Sequence, residues 1–181
     1  MVVFLGNPAL RRMSKSVADV RSPTIRNMLK QMEEEVRAEA GVGIAAPQLG
    51  HNLRMFLMLK NFPQSEDELD DPNHRLEYQE VINPEILEMS QRKKKDFEGC
   101  LSIPGYSGVV ARAQEIKVQY SDVNGRLFHK TLRDFPARIF QHETDHLNGV
   151  LYLDRLEEGT LIHNEEFEAL EWMDIEKLLK N

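Results

Sequence analysis

The chain has 181 residues, a formal net charge of −7, 41% hydrophobic and 29% charged residues. That length carries one domain with its own core, 1–181, and needs no disulfide staple. The acidic balance argues against broad nucleic-acid binding, which depends on basic surface, and no apolar run approaches membrane-spanning length.

Met1 to Pro8 is apolar at its start, too short for a signal peptide and without a basic leader, so the cytoplasm is the expected compartment. Ser22-Pro23 predicts a helix start, with Ser as N-cap and Pro at the first helical position. Ile25, Met28, Leu29, Met32 and Val36 follow at helical spacing up to Ala40-Gly41, where Gly41 is expected to end the helix. Gly41 to Gln48 is a tight backbone path of small residues ending in an amide that can donate a hydrogen bond. It lacks the GxGxxG spacing of a phosphate loop, and Gln48 alone reads equally as a surface residue. Leu53 to Leu59 predicts a buried strand, and Asn61 to Glu80 a polar, acidic exposed loop. The basic run Arg92-Lys93-Lys94-Lys95 reads as a solvated turn rather than a nucleic-acid patch.

Ile116, Val118 and Tyr120 alternate before Asp122-Val123-Asn124-Gly125, and an extended pattern resumes from Leu127 to Leu132. Asn-Gly between two such runs predicts a hairpin closed by a type I′ turn. Asp134 is expected to cap the next helix, with Pro136 tolerated in its first turn and Asn148-Gly149 at its end. Leu161 to Leu179 predicts a final helix. Strands clustered around a few helices, without βαβ alternation, point to an α+β fold.

The chemistry concentrates in Gln141-His142-Glu143-Thr144-Asp145-His146. Residues four apart share a helix face, so both imidazoles reach one ion, and Glu143 lies beside them to handle a proton of water. Hydrolytic metal sites use three protein ligands and an open position, so a third ligand must come from elsewhere. Cys100, the only cysteine, is a candidate. A lone cysteine is more often a small buried hydrophobe. Its setting, Glu98-Gly99-Cys100-Leu101-Ser102 before Ile103-Pro104-Gly105, describes a turn-rich loop on which a thiolate could complete a Cys-His-His set.

Gly43-Ile44-Ala45-Ala46-Pro47-Gln48, Glu98-Gly99-Cys100-Leu101-Ser102 and Gln141-His142-Glu143-Thr144-Asp145-His146 together resemble the three signature blocks of peptide deformylases, in that family's order. The resemblance implies antiparallel strands around the HExxH helix and removal of the N-formyl group from the initiator methionine of nascent chains. It implies Cys100, His142 and His146 as ligands of one divalent ion, usually Fe²⁺, with Zn²⁺, Ni²⁺ or Co²⁺ able to take its place. It further implies Glu143 as general acid–base, with the Gln48 amide and the Leu101 N–H as oxyanion donors. An extended formylmethionyl peptide would pair with backbone near Val42, Gly43, Ile44 and Gly99. Phe135, Arg138 and Ile139 are expected around the methionine pocket, Arg138 at its mouth, although core packing suits Phe135 and Ile139 equally. Glu98 and Arg112 are expected as a buried ion pair bracing the cysteine loop, and Asp145 as a support for a ligand. His51, His74, His129 and His163 stand in no ligand spacing.

Two rival readings use the same residues. A HExxH metallopeptidase cutting internal bonds suits Glu143 and the two histidines but leaves Cys100 and Gln48 without a purpose. A non-catalytic metal- or peptide-binding relative would have no need of Glu143. Some bacterial relatives are thought to meet the ribosome through a basic C-terminal helix. Here residues 165–180 carry six carboxylates against two lysines, which predicts that this segment does not bind RNA phosphate.

Overall fold

The computed structural model describes residues 1–61 and 76–180. It is an α+β fold of two antiparallel sheets around one helix. Strands β1 (Gly43–Ala45), β2 (Met55–Leu59), β3 (Tyr78–Met89), β6 (Glu115–Ser121) and β7 (Leu127–Arg133) form a five-stranded sheet in the order β1-β2-β3-β6-β7. Strands β4 (Lys93–Cys100), β5 (Ile103–Ala113) and β8 (Ile162–His163) form a second sheet in the order β4-β5-β8. Helix α1 (Pro23–Ala38) and helix α2 (Asp134–Leu147) pack against the first sheet, and α2 also touches β5.

All five residues of β2 are buried, which explains why its sequence is continuously apolar rather than alternating. Met55 and Leu57 face the cluster under α1 with Leu29, Met32 and Val36. Phe56 and Met58 face the opposite cluster with Phe140 and Leu147 of α2. Burying side chains of this size contributes roughly 1.5–3 kcal/mol each. The sheet is thereby sandwiched, and α2 is fixed in depth against β1 and β2.

Helix α1 begins as its sequence predicts, with the Ser22 hydroxyl accepting from the Ile25 N–H. Its end differs from expectation. Ala40, not Gly41, takes the left-handed conformation (φ 48°), while the Gly41 N–H bonds the Val36 carbonyl and the Ala40 N–H bonds that of Arg37. Gly41 instead stands at a close approach: a Cβ there would meet the Val36 side chain at 3.0 Å and that of Leu101 at 3.2 Å.

The β6–β7 hairpin forms, but its turn is not type I′. Only Gly125 has positive φ, and the Asp122 carboxylate accepts from the Asn124 and Arg126 N–H groups. The loop is thus a tight turn followed by a left-handed glycine, the usual longer alternative. Asp134 does not cap α2. Its own φ is 51°, and its carboxylate takes the Gln114 amide instead. The far end of α2 is as expected, with Asn148 as C-cap and Gly149 at φ 71°.

Three further expectations are corrected. Lys93 to Lys95 are solvated or half-buried but lie in β4, paired with Ala111 to Ala113, rather than in a turn. Tyr78 to Glu80, placed in the polar loop by composition, open β3. The core of that loop, with His74, lies outside the described residues. The final helix is broken into β8, a short helix α3 (Asn164–Glu168) and helix α4 (Trp172–Lys180), because Ile162 and His163 pair with Ser107 and Tyr106. Among the described residues, no helix is long and apolar enough to cross a membrane.

A left-handed alanine costs roughly 1–2 kcal/mol that glycine avoids, partly offset by the greater freedom of glycine when unfolded. Ala40→Gly is expected to raise stability by about 0.5–1 kcal/mol, read as the midpoint of urea unfolding; an unchanged or lower midpoint would count against the strain.

Candidate active site

Two sheet edges face each other across the site. β1 ends the first sheet and β4 ends the second, and a cavity of about 450 Å³ opens between them. Val42 and Gly43 line one side, Gly99, Cys100 and Leu101 another, and His142 and Glu143 form part of the floor. The N-terminal segment ties these walls together. The Val3 N–H bonds the Gln48 carbonyl at 2.8 Å, and the Leu5 N–H bonds that of Ser102 at 2.9 Å.

Cys100, His142 and His146 come together as the motif spacing predicts. One ligand atom from each lies within 4.8 Å of the others, and Cys100 Sγ is 3.3 Å from His146 Nε2. Cys100 sits at the end of β4 as the chain turns, paired with Ile103, half-buried against the cluster of Leu10, Ile103, Val110, Leu151 and Tyr152 with its sulfur toward His146. His142 Nδ1 donates to Glu98 at 3.0 Å, which leaves Nε2 for the cluster. A sulfur, two imidazole nitrogens and a hydrogen-bonded ligand histidine fit a divalent transition-metal ion. Glu143 Oε2 is buried with no partner, as an oxygen that serves water would be.

The charges around the cluster are shifted by identifiable causes. Burial pushes the Glu143 carboxyl up to about 7; His142 and Arg112 oppose this and Glu98 adds to it. A cation held next door would pull it back toward ionisation. Burial also works against the charged form of His142, but hydrogen bonds to Cys100 and Glu98 outweigh it and raise that group well above the ordinary range. His146 is lowered by burial and then by its charged neighbour His142. Burial opposes ionisation of Glu98, yet hydrogen bonds from Arg112 and His142 hold it well below the usual carboxylate range.

Helix α2 approaches β1 at Gly43 with no room to spare. A Cβ on Gly43 would stand 2.5 Å from Glu143 Oε1, so the absence of a side chain there admits the carboxylate. Gln48 is buried, which removes the surface reading. Its Oε1 accepts from the Ala45 N–H at 2.8 Å, fixing the amide so that Nε2 faces Ser102 Oγ at 3.2 Å and Cys100 Sγ at 3.5 Å.

Glu98 and Arg112 form the expected buried pair, with two hydrogen bonds of 2.9 Å. Asp145 meets His142 only indirectly: it binds Arg112 at 2.5 Å, which holds Glu98, and Arg155 at 2.5 and 2.7 Å, because its place on α2 points it toward β5 and the turn after the helix. One other expectation needs correction. Arg138 lines the cavity, but its guanidinium is buried, bonded to Glu98 at 2.6 Å and to the carbonyls of Val110 and Lys94, rather than free at a mouth. Phe135 and Ile139 line the cavity, whereas Ile44 is fully buried behind it. His129 bonds Gln119, and His163 caps α3. Sequence reasoning missed Ser102, Arg155, Tyr106 and Asn164. Ser102 stands in the second motif block but was given no role, whereas the other three carry no motif and arrive only through strand pairing and the turn after α2.

The model of the polypeptide deformylase family matches residues 1–161. Peptide deformylase 2 of Nostoc sp. is 39% identical over 176 residues, covering 93% of each chain. The crystal structure of peptide deformylase from Thermotoga maritima superposes with a TM-score of 0.75 at 36% identity, over 87% of this chain and 97% of that one. A Met-Ala-Ser-bound class I type b peptide deformylase from Acinetobacter baumannii gives 0.76 at 33%, over 86% and 97%.

In a Cys-His-His metal site, Cys100 would supply one of three protein donors. Cys100→Ala is expected to lose bound metal by at least an order of magnitude in affinity, within the range seen for perturbed metal sites, measured as metal content after dialysis. Equal content in variant and parent would place the third ligand elsewhere.

Proposed function

We propose how this chain works from the premise that it belongs to the polypeptide deformylase family: it is a hydrolase that removes the N-formyl group from the initiator methionine of nascent polypeptides, releasing formate. The observation that carries this reading is the Cys100, His142 and His146 cluster, whose Cys100 and His142 line a cleft between two sheet edges with Glu143 beside them. A metallopeptidase would leave the cysteine and Gln48 unexplained.

In the proposed reaction Cys100, His142 and His146 hold one divalent ion. Bound there, the ion supplies Lewis acidity, so that water becomes a nucleophile near neutral pH. Family resemblance makes Fe²⁺ the resident ion of this reading, with Zn²⁺, Ni²⁺ and Co²⁺ as substitutes, while one thiolate and two imidazoles suit all four and do not choose among them. Glu143 takes the proton from the attacking water and delivers it to the departing amine. Its buried oxygen without a partner is free to do both. Gln48 Nε2, whose second proton faces no acceptor closer than the long contact to Cys100, and the Leu101 N–H stabilise the oxyanion that develops from the formyl oxygen.

The substrate lies extended between the two edges, completing backbone bonds with Val42, Gly43 and Ile44 on one side and Gly99 on the other. Phe135, Ile139 and the aliphatic stem of Arg138 wall the methionine side chain. Edge pairing reads backbone, so later residues stay loosely specified, as an enzyme acting on many nascent chains requires. Residues 1–181 act as one catalytic domain. The cytoplasm is the compartment, where a reduced Cys100 is kept reduced.

The activity test is formate release from formyl-Met-Ala-Ser under anaerobic conditions with Fe²⁺ or Ni²⁺, beside an unformylated peptide that reports internal cleavage. Glu143→Gln is expected to keep the metal and lose about 10²–10⁴ in rate, the usual cost of a lost general base; near-normal turnover of the loaded variant would remove Glu143 from the mechanism.

The C-terminal segment is proposed not to bind the ribosome. Its six carboxylates against two lysines repel RNA phosphate. Co-sedimentation with ribosomes at low salt should be equal for the full chain and a form truncated after Gly159, and salt-sensitive binding lost on truncation would contradict this.

A further inference from the structure

Asp145 and Arg155 form the outer half of a chain of charges that reaches the ligand cluster. From the surface inward it runs Arg155 to Asp145, Asp145 to Arg112, Arg112 to Glu98 and Glu98 to His142, with contacts of 2.5 to 3.0 Å. Asp145, Arg112 and Glu98 are buried, while the Arg155 side chain is 46% exposed. Glu98 accepts four hydrogen bonds, which fills its acceptor sites. Asp145 accepts three, two of them from the planar fork of Arg155.

We propose that Arg155 is a positioning residue for His142, acting through Asp145 and Arg112. Arg112 is shared between two carboxylates and holds Glu98 with two of its nitrogens and Asp145 with one. With Arg155 in place, Asp145 has a second guanidinium and leaves Arg112 to Glu98. Without Arg155, Asp145 is a buried carboxylate with one donor, and it competes with Glu98 for the same cation. Arg112 then swings toward α2, Glu98 loses its bidentate brace, and the His142 ring loses the fixed acceptor that orients it. Arg155 also lies on the turn Tyr152–Arg155 just after α2, so it ties the end of that helix's connection back onto the helix.

The proposal rests on reading Cys100, His142 and His146 as a metal centre, so the test reads metal binding and not turnover. Each protein is loaded anaerobically with Co²⁺. The visible absorption spectrum and the rate of cobalt loss to 1,10-phenanthroline are then compared for the parent, Arg155→Ala, Arg155→Lys and Arg11→Ala. Arg11→Ala breaks the surface pair with Asp154 in the same turn and is expected to behave as the parent. Arg155→Ala should shift the cobalt bands and lose the ion about 10- to 100-fold faster, the range for residues that support a ligand. Arg155→Lys keeps the charge but not the fork and should fall between. If Arg155→Ala does not fold, the lysine variant carries the comparison. A parental spectrum and loss rate in the Arg155 variants would overturn the proposal even if their thermal stability fell. A parent that binds no cobalt would overturn the metal reading and this proposal together.

Discussion

The buried carboxylate of Glu98 is the interaction on which the site depends. An uncompensated charge in that position would cost several kcal/mol. Four donors from three places in the chain remove that cost: two nitrogens of Arg112 on β5, one of Arg138 on α2, and Nδ1 of His142 on the next turn of α2. These bonds fix the spacing of β4, β5 and α2 at the point where Cys100 leaves β4 and His142 faces it. The same carboxylate selects which nitrogen of His142 is free. Folding and ligand geometry are therefore one problem here, solved by one group.

A second constraint is the thinness of the wall between β1 and α2. Two small positions, Gly43 and Ala45, let the strand approach the helix, and Gly43 in particular stands where a side chain would strike Glu143. The Glu143 carboxylate is consequently held by close contact on one side while one of its oxygens stays without a hydrogen-bond partner. Gln48 is fixed by a different device. Its carbonyl oxygen is occupied by the Ala45 N–H, so its amide nitrogen has one way to point. Polar groups at the site are thus oriented by having their other hydrogen-bonding atoms already occupied.

Beyond residue 161, where the family model ends, the chain still contributes to the cleft. Ile162 and His163 extend the small sheet at β5, Asn164 reaches the cavity and Phe167 packs on Phe97 with ring centroids 4.6 Å apart. This is why the expected single helix from Leu161 to Leu179 is not formed. Backbone pairing with β5 holds the first residues extended, and helix begins only once that edge is satisfied. Helix α4 has no fully buried residue, and its apolar Ile175, Leu178 and Leu179 are half-buried.

The sequence by itself determined the elements whose information is local. Ser22-Pro23 starts α1, the stripe Ile25, Leu29, Met32 and Val36 faces the core, the alternation around Val118 makes β6, and i, i+4 spacing puts His142 and His146 on one face. The three motif blocks further named the cysteine, the histidines, the glutamate and the glutamine that meet at the cavity or, for His146, in the cluster just beneath it. Only the tertiary structure decided what depends on packing between distant segments. The partners of Asp145 and Arg138, the unglycine-like turn of Ala40, the displaced cap at Asp134 and the entry of Arg155 into the charge chain all follow from contacts across 10 to 44 residues or from local backbone bends that those contacts hold. Local propensity records what a residue prefers among its neighbours in sequence. It is silent on which long side chain a buried carboxylate will meet, because that is set by how β4, β5 and α2 close on one another.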